Sequence, residues 1–234
     1  MEYNKAEVIS YSNTININNN NNDNNNNKNL SIIEQIAFCA RVSNPENQNN
    51  HETSEKLCFY LIKNHHWSPF EMCNIVIEIQ TTRDISRQLI RHRSFSFQEF
   101  SQRYAFATDF ITRECRFQDK KNRQMSISIL DYEKNDKENE ISQEFEKLQN
   151  DLINIEKKYY NFCNENNIAK EQSRVILSEG LTLTKLYMNG TLRSWIHYLK
   201  IRCDINTTQR EHYDLAMKIK NKISTIFPLI NEIV

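Results

Sequence analysis

The chain has 234 residues, with 30 Lys plus Arg against 30 Asp plus Glu, so its formal net charge is zero. That balance excludes a general binder of nucleic acid or membrane surfaces, and any anion site has to be local. Glycine occurs only 2 times, as Gly180 and Gly190, against roughly 7% in average proteins, which rules out a glycine-rich phosphate cradle of the Rossmann or P-loop kind.

In chain order, AEVISYS (6–12) reads as a short first strand. The asparagine tract NNNNNDNNNNKN (18–29) cannot bury enough apolar surface to offset its ordering entropy and is expected to be a disordered insert. The spacing predicts helices over 30–42, with Ile33, Ile36 and Ala37 on one side, and over 53–66, separated by a polar loop at 44–53. CNIVIEIQT (73–81) alternates and is β-branched, the one clear strand, with Ile75, Ile77 and Ile79 facing one way. A helix is expected over 83–93, a mobile charged connection at 131–140 and a long amphipathic helix at 141–165. Shorter helices are expected at 169–178, 184–200 and 208–224. The pattern predicts an α+β fold: one mixed domain over 1–234, a central sheet flanked by several helices, without an internal repeat.

The six cysteines are scattered and contain no C-x-x-C, so neither a zinc site nor a redox pair is indicated and no metal is expected. They read as reduced packing residues. No apolar run approaches the roughly 20 residues of a membrane span, and no signal or transit segment is evident. The expectation is a cytoplasmic protein without membrane or nucleic-acid partners.

Chemistry concentrates in RHRSFSFQEFSQRY (91–104). Arg83, Arg87 and Arg91 fall at i, i+4 and i+8, a stripe on a helix, and Arg93 and Arg103 follow, against two acids, Asp84 and Glu99. Guanidinium forks bind phosphate bidentately and stay charged at any working pH. His92 can donate to an anion or stack on a planar ring, Ser101 offers a hydroxyl, and Gln88 and Gln98 suit an imide or nucleobase edge. The mixture fits a ligand that is phosphorylated, planar and partly apolar, such as a nucleotide or a flavin. A solvated arginine face and an RNA-binding patch of interleaved Arg and aromatic residues are the alternatives; basic residues elsewhere do not extend the patch.

Arg-His-Arg, seven residues and Ser, at 91–101, resembles the signature of flavin-dependent thymidylate synthases. ARVS (40–43), HHWSPFEM (65–72), QSRVILSEG (172–180) and NGTLRSWIHYLKIR (189–202) resemble further blocks of that family, in its order. The resemblance implies reductive methylation of dUMP to dTMP, with methylene-tetrahydrofolate giving the carbon and FAD reduced by NADPH giving the hydride. It also implies a homotetramer with shared active sites. For FAD it implies Arg91, His92, Arg93 and Glu99, with His66, Ser68 and Glu71 in a neighbouring loop and Arg193 and His197 beyond. For dUMP it implies Gln88, Arg91, Glu99, Ser101, Gln102, Arg103, Arg174 and Arg202. Arg202 matches the arginine that stabilises the ionised pyrimidine N3, the catalytic role. No cysteine stands near the arginine cluster to act as a nucleophile, whereas substrate activation by fixed positive charge needs none. Other readings are a flavin-binding relative without synthase activity and a nucleotide- or RNA-binding module. His51 and His212 are expected in structural or surface roles.

Overall fold

The structure, a computed structural model, describes residues 1–14, 29–107, 109–128 and 136–234. The Asn tract at 18–28 and the segment 131–135 lie outside the described residues. Four strands build the main sheet: β1 (Lys5–Tyr11), β2 (Asn74–Thr82), β3 (Ser96–Glu99) and, later in the chain, Leu183–Thr191. A separate hairpin pairs β4 (Arg116–Gln118) with β5 (Ser126–Ser128), and Leu183–Thr191 is therefore β6. The sheet order is β1-β2-β6-β3, antiparallel throughout.

The helices are α1 (Ile32–Ala40), α2 (Ser54–Lys63), α3 (Arg83–Leu89), α4 (Asp136–Glu165), α5 (Lys170–Ser173), α6 (Leu192–Arg202), α7 (Arg210–Ser224) and α8 (Ile230–Ile233). Short 3-10 turns lie at Pro45–Asn47, Ser68–Met72 and Arg174–Ile176. The α+β expectation holds, with sheet and helices sharing one core. Local signals explain several ends. Ser31 and Glu34 form a reciprocal capping box that starts α1. Arg41, buried in the ARVS block, ties that helix end to the following loop through the Asn50 carbonyl and the Thr53 hydroxyl (2.8 Å).

Four expectations need correction. Residues 184–191 are strand, not helix: Thr184, Leu186, Met188 and Gly190 are buried while Lys185, Tyr187 and Asn189 are exposed, a period of two. The helix begins only after Thr191, whose hydroxyl accepts from the Ser194 amide (3.3 Å) and caps it. Residues 136–140, read as a mobile connection, are the first turns of α4, because Asp, Lys and Glu are compatible with a helix and acids favour its N-terminal end. The helix expected over 83–93 stops at Leu89, and the one expected over 169–178 resolves into short α5 and a 3-10 turn.

Ile75, Ile77 and Ile79 of β2 do face one way, all fully buried, and meet Leu186 and Met188 of β6 beneath Trp195 and Leu199 of α6. The Trp195 indole donates to the Ile75 carbonyl (3.1 Å), so its polar atom is satisfied at no loss of packing. The α7 face of Leu215, Ile219 and Ile223 closes the core and lies against β1. Just before β3, Phe95 packs edge-on to Trp195 (4.7 Å between centroids) and sits over Gly190. A Cβ at Gly190 would collide with that ring. Gly190→Ala is therefore expected to destabilise the fold by about 1–3 kcal/mol through overpacking, read as a lower urea midpoint with unchanged slope.

Candidate functional site

Helix α6 presents the residues on which the site is built. Its buried face (Leu192, Trp195, Ile196, Tyr198, Leu199) fixes it on the sheet, so Arg193, His197 and Arg202 project from defined positions. Arg193 forms an ion pair with Glu71 of the 68–72 turn. Beside it, the Trp67 ring lies 4.8 Å from His197 and 5.3 Å from the Lys200 ammonium. Burial first, then the charges of Arg193 and Lys200, hold His197 below its ordinary imidazole pKa. His66, just before that turn, and Ser68, at its start, are exposed. The structure thus brings Glu71 to Arg193, and His197 to the aromatic edge of the HHW segment.

On the other side of α6 lies the turn that follows α3. Because the helix ends at Leu89, the expected arginine stripe breaks: Arg83 and Arg87 reach Glu179 (3.5 and 3.3 Å), while Arg91 and Arg93 are exposed. Neither Arg91 nor Arg93 has an ion pair or side-chain hydrogen bond among the described residues. His92 turns inward. Its Nε2 accepts from Arg202 Nε (3.2 Å), and its ring stands edge-on to Tyr198 at 5.0 Å. Burial and the Arg202 charge hold the imidazole below its ordinary pKa, consistent with a neutral ring protonated on Nδ1.

A directional hydrogen-bond chain starts beside this pair. Tyr198 O–H donates to His212 Nε2 (3.1 Å), His212 Nδ1–H to Gln88 Oε1 (3.2 Å), and Gln88 Nε2–H to Gln209 Oε1 (2.7 Å). Gln209 Nε2–H then donates to Glu211 Oε2 (2.9 Å). Glu211 is buried and paired with Arg116 of β4. Burial pushes its carboxyl upward, but the charge and hydrogen bond of Arg116, with Gln209, outweigh this and keep it below the usual range. Each donor has one acceptor, so the amide of Gln88 has its orientation set by its neighbours. Gln209 also borders an open cleft of about 560 Å³ between the β4–β5 hairpin and Arg210.

The remaining expected residues form two further groups. Glu99 Oε1 accepts from Ser86 Oγ (2.9 Å) and Thr184 Oγ1 (3.0 Å), locking α3, β3 and β6 together. Ser101 opens a turn: its carbonyl accepts from the Tyr104 and Ala105 amides (3.1 and 3.2 Å) and its Oγ from the Arg103 amide (3.3 Å). Among the described residues its hydroxyl has no carboxylate or imidazole partner, which suits binding and not nucleophilic attack. Gln102 is buried, and Arg103 lies 3.8 Å from Glu171 with both side chains exposed. Arg174 is exposed in the 3-10 turn after α5. Within one chain, then, the Ser101–Arg103 turn is tied to α5 (Lys170 Nζ donates to the Tyr104 carbonyl, 2.8 Å), whereas Arg91–Arg93 and Arg202 are tied to α6.

Tyr198, Gln209, Glu211 and Arg116 escaped the sequence reading, and His212 was given only a structural or surface role. One signal was available: His212 shares the apolar face of α7 with Leu215, Ala216, Ile219 and Ile223, and an imidazole there requires a buried partner. Burial pushes the thiols of Cys58 and Cys73 to about 12 and that of Cys203, next to Arg202, to about 11, away from the thiolate form that a nucleophile needs. Among the described residues no group of three His, Cys, Asp or Glu is placed to hold a metal ion, and no helix is long and apolar enough to cross a membrane.

Residues 28–229 match the family described as Thymidylate synthase complementing protein. A probable flavin-dependent thymidylate synthase of Paramecium bursaria Chlorella virus 1 is 46% identical over 198 residues, covering 84% of this chain and 88% of the relative. The flavin-dependent thymidylate synthase of Synechocystis sp. is 43% identical over 195 residues, covering 83% and 86%. The chain belongs to the flavin-dependent thymidylate synthase family. Among solved structures, the UMP/dUMP methylase PolB from Streptomyces cacaoi bound with 5-Br dUMP is similar with a TM-score of 0.75 at 21% identity, over 98% of this chain and 94% of that one, which shows a shared fold. The side chains fit the flavin cofactor that the family name carries. Arg91 and Arg93 are cations without a side-chain acceptor among the described residues, suited to a diphosphate, and Trp67 and His197 offer ring surfaces beside Arg193.

Burial first, then the charges of Arg202 and His92, depress His212 to about 3 from an ordinary 6.5. Between those values the unfolded chain binds a proton that the folded chain refuses, so stability falls as pH drops from about 6.5 toward 3. Replacing His212 with Gln is expected to flatten that part of the stability–pH profile. Denaturant midpoints measured across the range would check it; an unchanged slope would remove His212 as the cause.

Proposed function

We propose that this chain methylates dUMP reductively to dTMP, with methylene-tetrahydrofolate as carbon donor and NADPH as reductant. The observation that carries the reading is Arg202. Its guanidinium is steered by a neutral His92 through Nε, and no other partner engages it among the described residues, so its two terminal nitrogens are free to face a substrate. An arginine that cannot lose its proton stabilises negative charge developing on the pyrimidine ring, which makes C5 a stronger carbon nucleophile. No protein thiolate is needed, in keeping with the burial-raised cysteines.

Arg91, His92 and Arg93 hold the flavin diphosphate side in this reading, with Arg193, Glu71, His197, His66 and Ser68 on the other flank and Glu99 bracing the sheet edge between them. FAD, when bound and reduced by NADPH, supplies the hydride. Gln88 reads the pyrimidine edge with an amide held in one orientation by His212 and Gln209. Ser101, Gln102, Arg103 and Arg174 serve the nucleotide, the two arginines at its phosphate. In this reading the Ser101–Arg103 turn, tied to α5, and Arg202, on α6, serve sites that are shared between the copies of a homotetramer. Six free cysteines favour the cytoplasm as its compartment.

Tritium release from 5-labelled dUMP, dependent on NADPH and methylene-tetrahydrofolate, tests the reaction; its absence from protein carrying FAD would sink the synthase reading. Arg202→Ala is expected to keep the flavin spectrum while kcat falls by on the order of 10²–10³-fold; normal turnover would defeat the assigned role. Ser101→Ala should raise the dUMP Kd and leave residual turnover, whereas complete loss at unaltered dUMP affinity would make Ser101 a nucleophile.

A further inference from the structure

Most members of the buried hydrogen-bond chain could face either way. Tyr198 can donate or accept, His212 can carry its proton on either ring nitrogen, and the amides of Gln88 and Gln209 can each turn over. Glu211 is the exception. It is buried, paired with Arg116 and held as a carboxylate, so it can only accept. That fixes every link behind it. Gln209 must donate Nε2–H to Glu211 Oε2 (2.9 Å), so it turns Oε1 to Gln88. Gln88 must then donate Nε2–H to Gln209 (2.7 Å), so it turns its own Oε1 to His212. His212 must donate from Nδ1 (3.2 Å), which leaves Nε2 to accept from Tyr198 (3.1 Å). The direction of the whole chain thus follows from one charge.

Gln88 is where that direction meets a ligand. It lies half-buried in the last turn of α3. The His212 ring that engages it stands 6.5 Å, centroid to centroid, from the His92 ring, which accepts from Arg202. One Nε2 hydrogen of Gln88 goes to Gln209, and among the described residues no acceptor takes the other. In this orientation the amide offers a base an N–H, while its oxygen is engaged by His212. Uracil has a carbonyl oxygen at position 4, which accepts that hydrogen. Cytosine has an amino group there, which sets donor against donor. Turned over, the same amide would accept from cytosine and oppose uracil. We propose that Glu211, paired with Arg116, selects uracil over cytosine nucleotides by fixing the direction of this chain and with it the orientation of Gln88. Glu211 is a positioning residue in this scheme, acting through Gln209 on the side chain that meets the base.

This inference deepens the proposed reading of Gln88 on the pyrimidine and rests on it. The first test leaves Glu211 in place, so it does not depend on how a variant folds. In wild-type protein labelled with 15N-histidine, the His212 ring signals, assigned by their loss in His212→Gln, should show a neutral ring protonated on Nδ1. Protonation on Nε2 overturns the direction of the chain. The second test measures the Kd of dUMP and of dCMP by titration calorimetry on FAD-loaded wild type and Arg116→Gln/Glu211→Gln. The double change removes both charges together, so neither is left buried and unpaired, and it puts at 211 an amide that donates as well as accepts. The ratio of the dCMP Kd to the dUMP Kd should fall by roughly tenfold, with dCMP bound more tightly than by the wild type. An unchanged ratio overturns the proposal even where both affinities weaken, because simple loosening costs the two nucleotides alike. A wild type that binds neither nucleotide, or both equally, removes the reading of Gln88 and this inference with it. A wild type that prefers dUMP but releases no tritium removes the synthase reading and leaves this one standing.

Discussion

The fold hangs on the pairing of β2 with β6. Every residue of β2, from Asn74 to Thr82, has a partner in β6, from Thr191 back to Leu183. Each strand runs without a loop into a helix, β2 through Thr82 into α3 and β6 through Thr191 into α6. The register of one ladder therefore fixes where both helices begin. A slip of one residue would turn Ile75, Ile77, Ile79, Leu186 and Met188 out of the core at once, and with them Trp195, which donates to the carbonyl of Ile75.

That rigidity is passed on to polar groups that would otherwise be costly to bury. Tyr198, His212, Gln88, Gln209 and Glu211 form a single donor-to-acceptor sequence that ends on a carboxylate compensated by Arg116. No member has to choose between two roles, so the amide of Gln88 and the tautomer of His212 follow from their neighbours. His92 and Arg202 lie against the same tyrosine. The cation proposed to act on the substrate and the amide proposed to read it are thus held by one buried assembly, drawn from α3, α6, α7 and the β4–β5 hairpin.

Much of this was legible in the sequence, for reasons that differ by residue. The alternation of Ile75, Ile77 and Ile79 announced β2, and the charge of Arg91 and Arg93 announced side chains that stay exposed. β6 was hidden because Leu183 and Leu186 also satisfy helical spacing, and only the exposed Lys185, Tyr187 and Asn189 give the strand away. β3 alternates as well, Ser96 and Gln98 outward against Phe97 and Glu99, but four residues are too few for periodicity to decide. Gln209, Glu211 and Arg116 are unremarkable in sequence. They matter only because the fold brings 88, 116, 209 and 212 together, and pairing at that range leaves no local trace.

The segment between α6 and α7 is organised separately from that assembly. Asp204 organises it alone: its carboxylate accepts from the Asn206 amide (2.9 Å) and the Thr207 hydroxyl (3.1 Å), and its carbonyl accepts from the Thr208 amide (3.1 Å). Thr208 in turn donates back to the Ile201 carbonyl (3.2 Å). The loop is closed on itself, so it works as an expansion joint: residues gained or lost within it alter its own contour and leave the phase of the two helices alone. A residue inserted there would reshape the loop before it moved Arg202 on one side or Gln209 on the other.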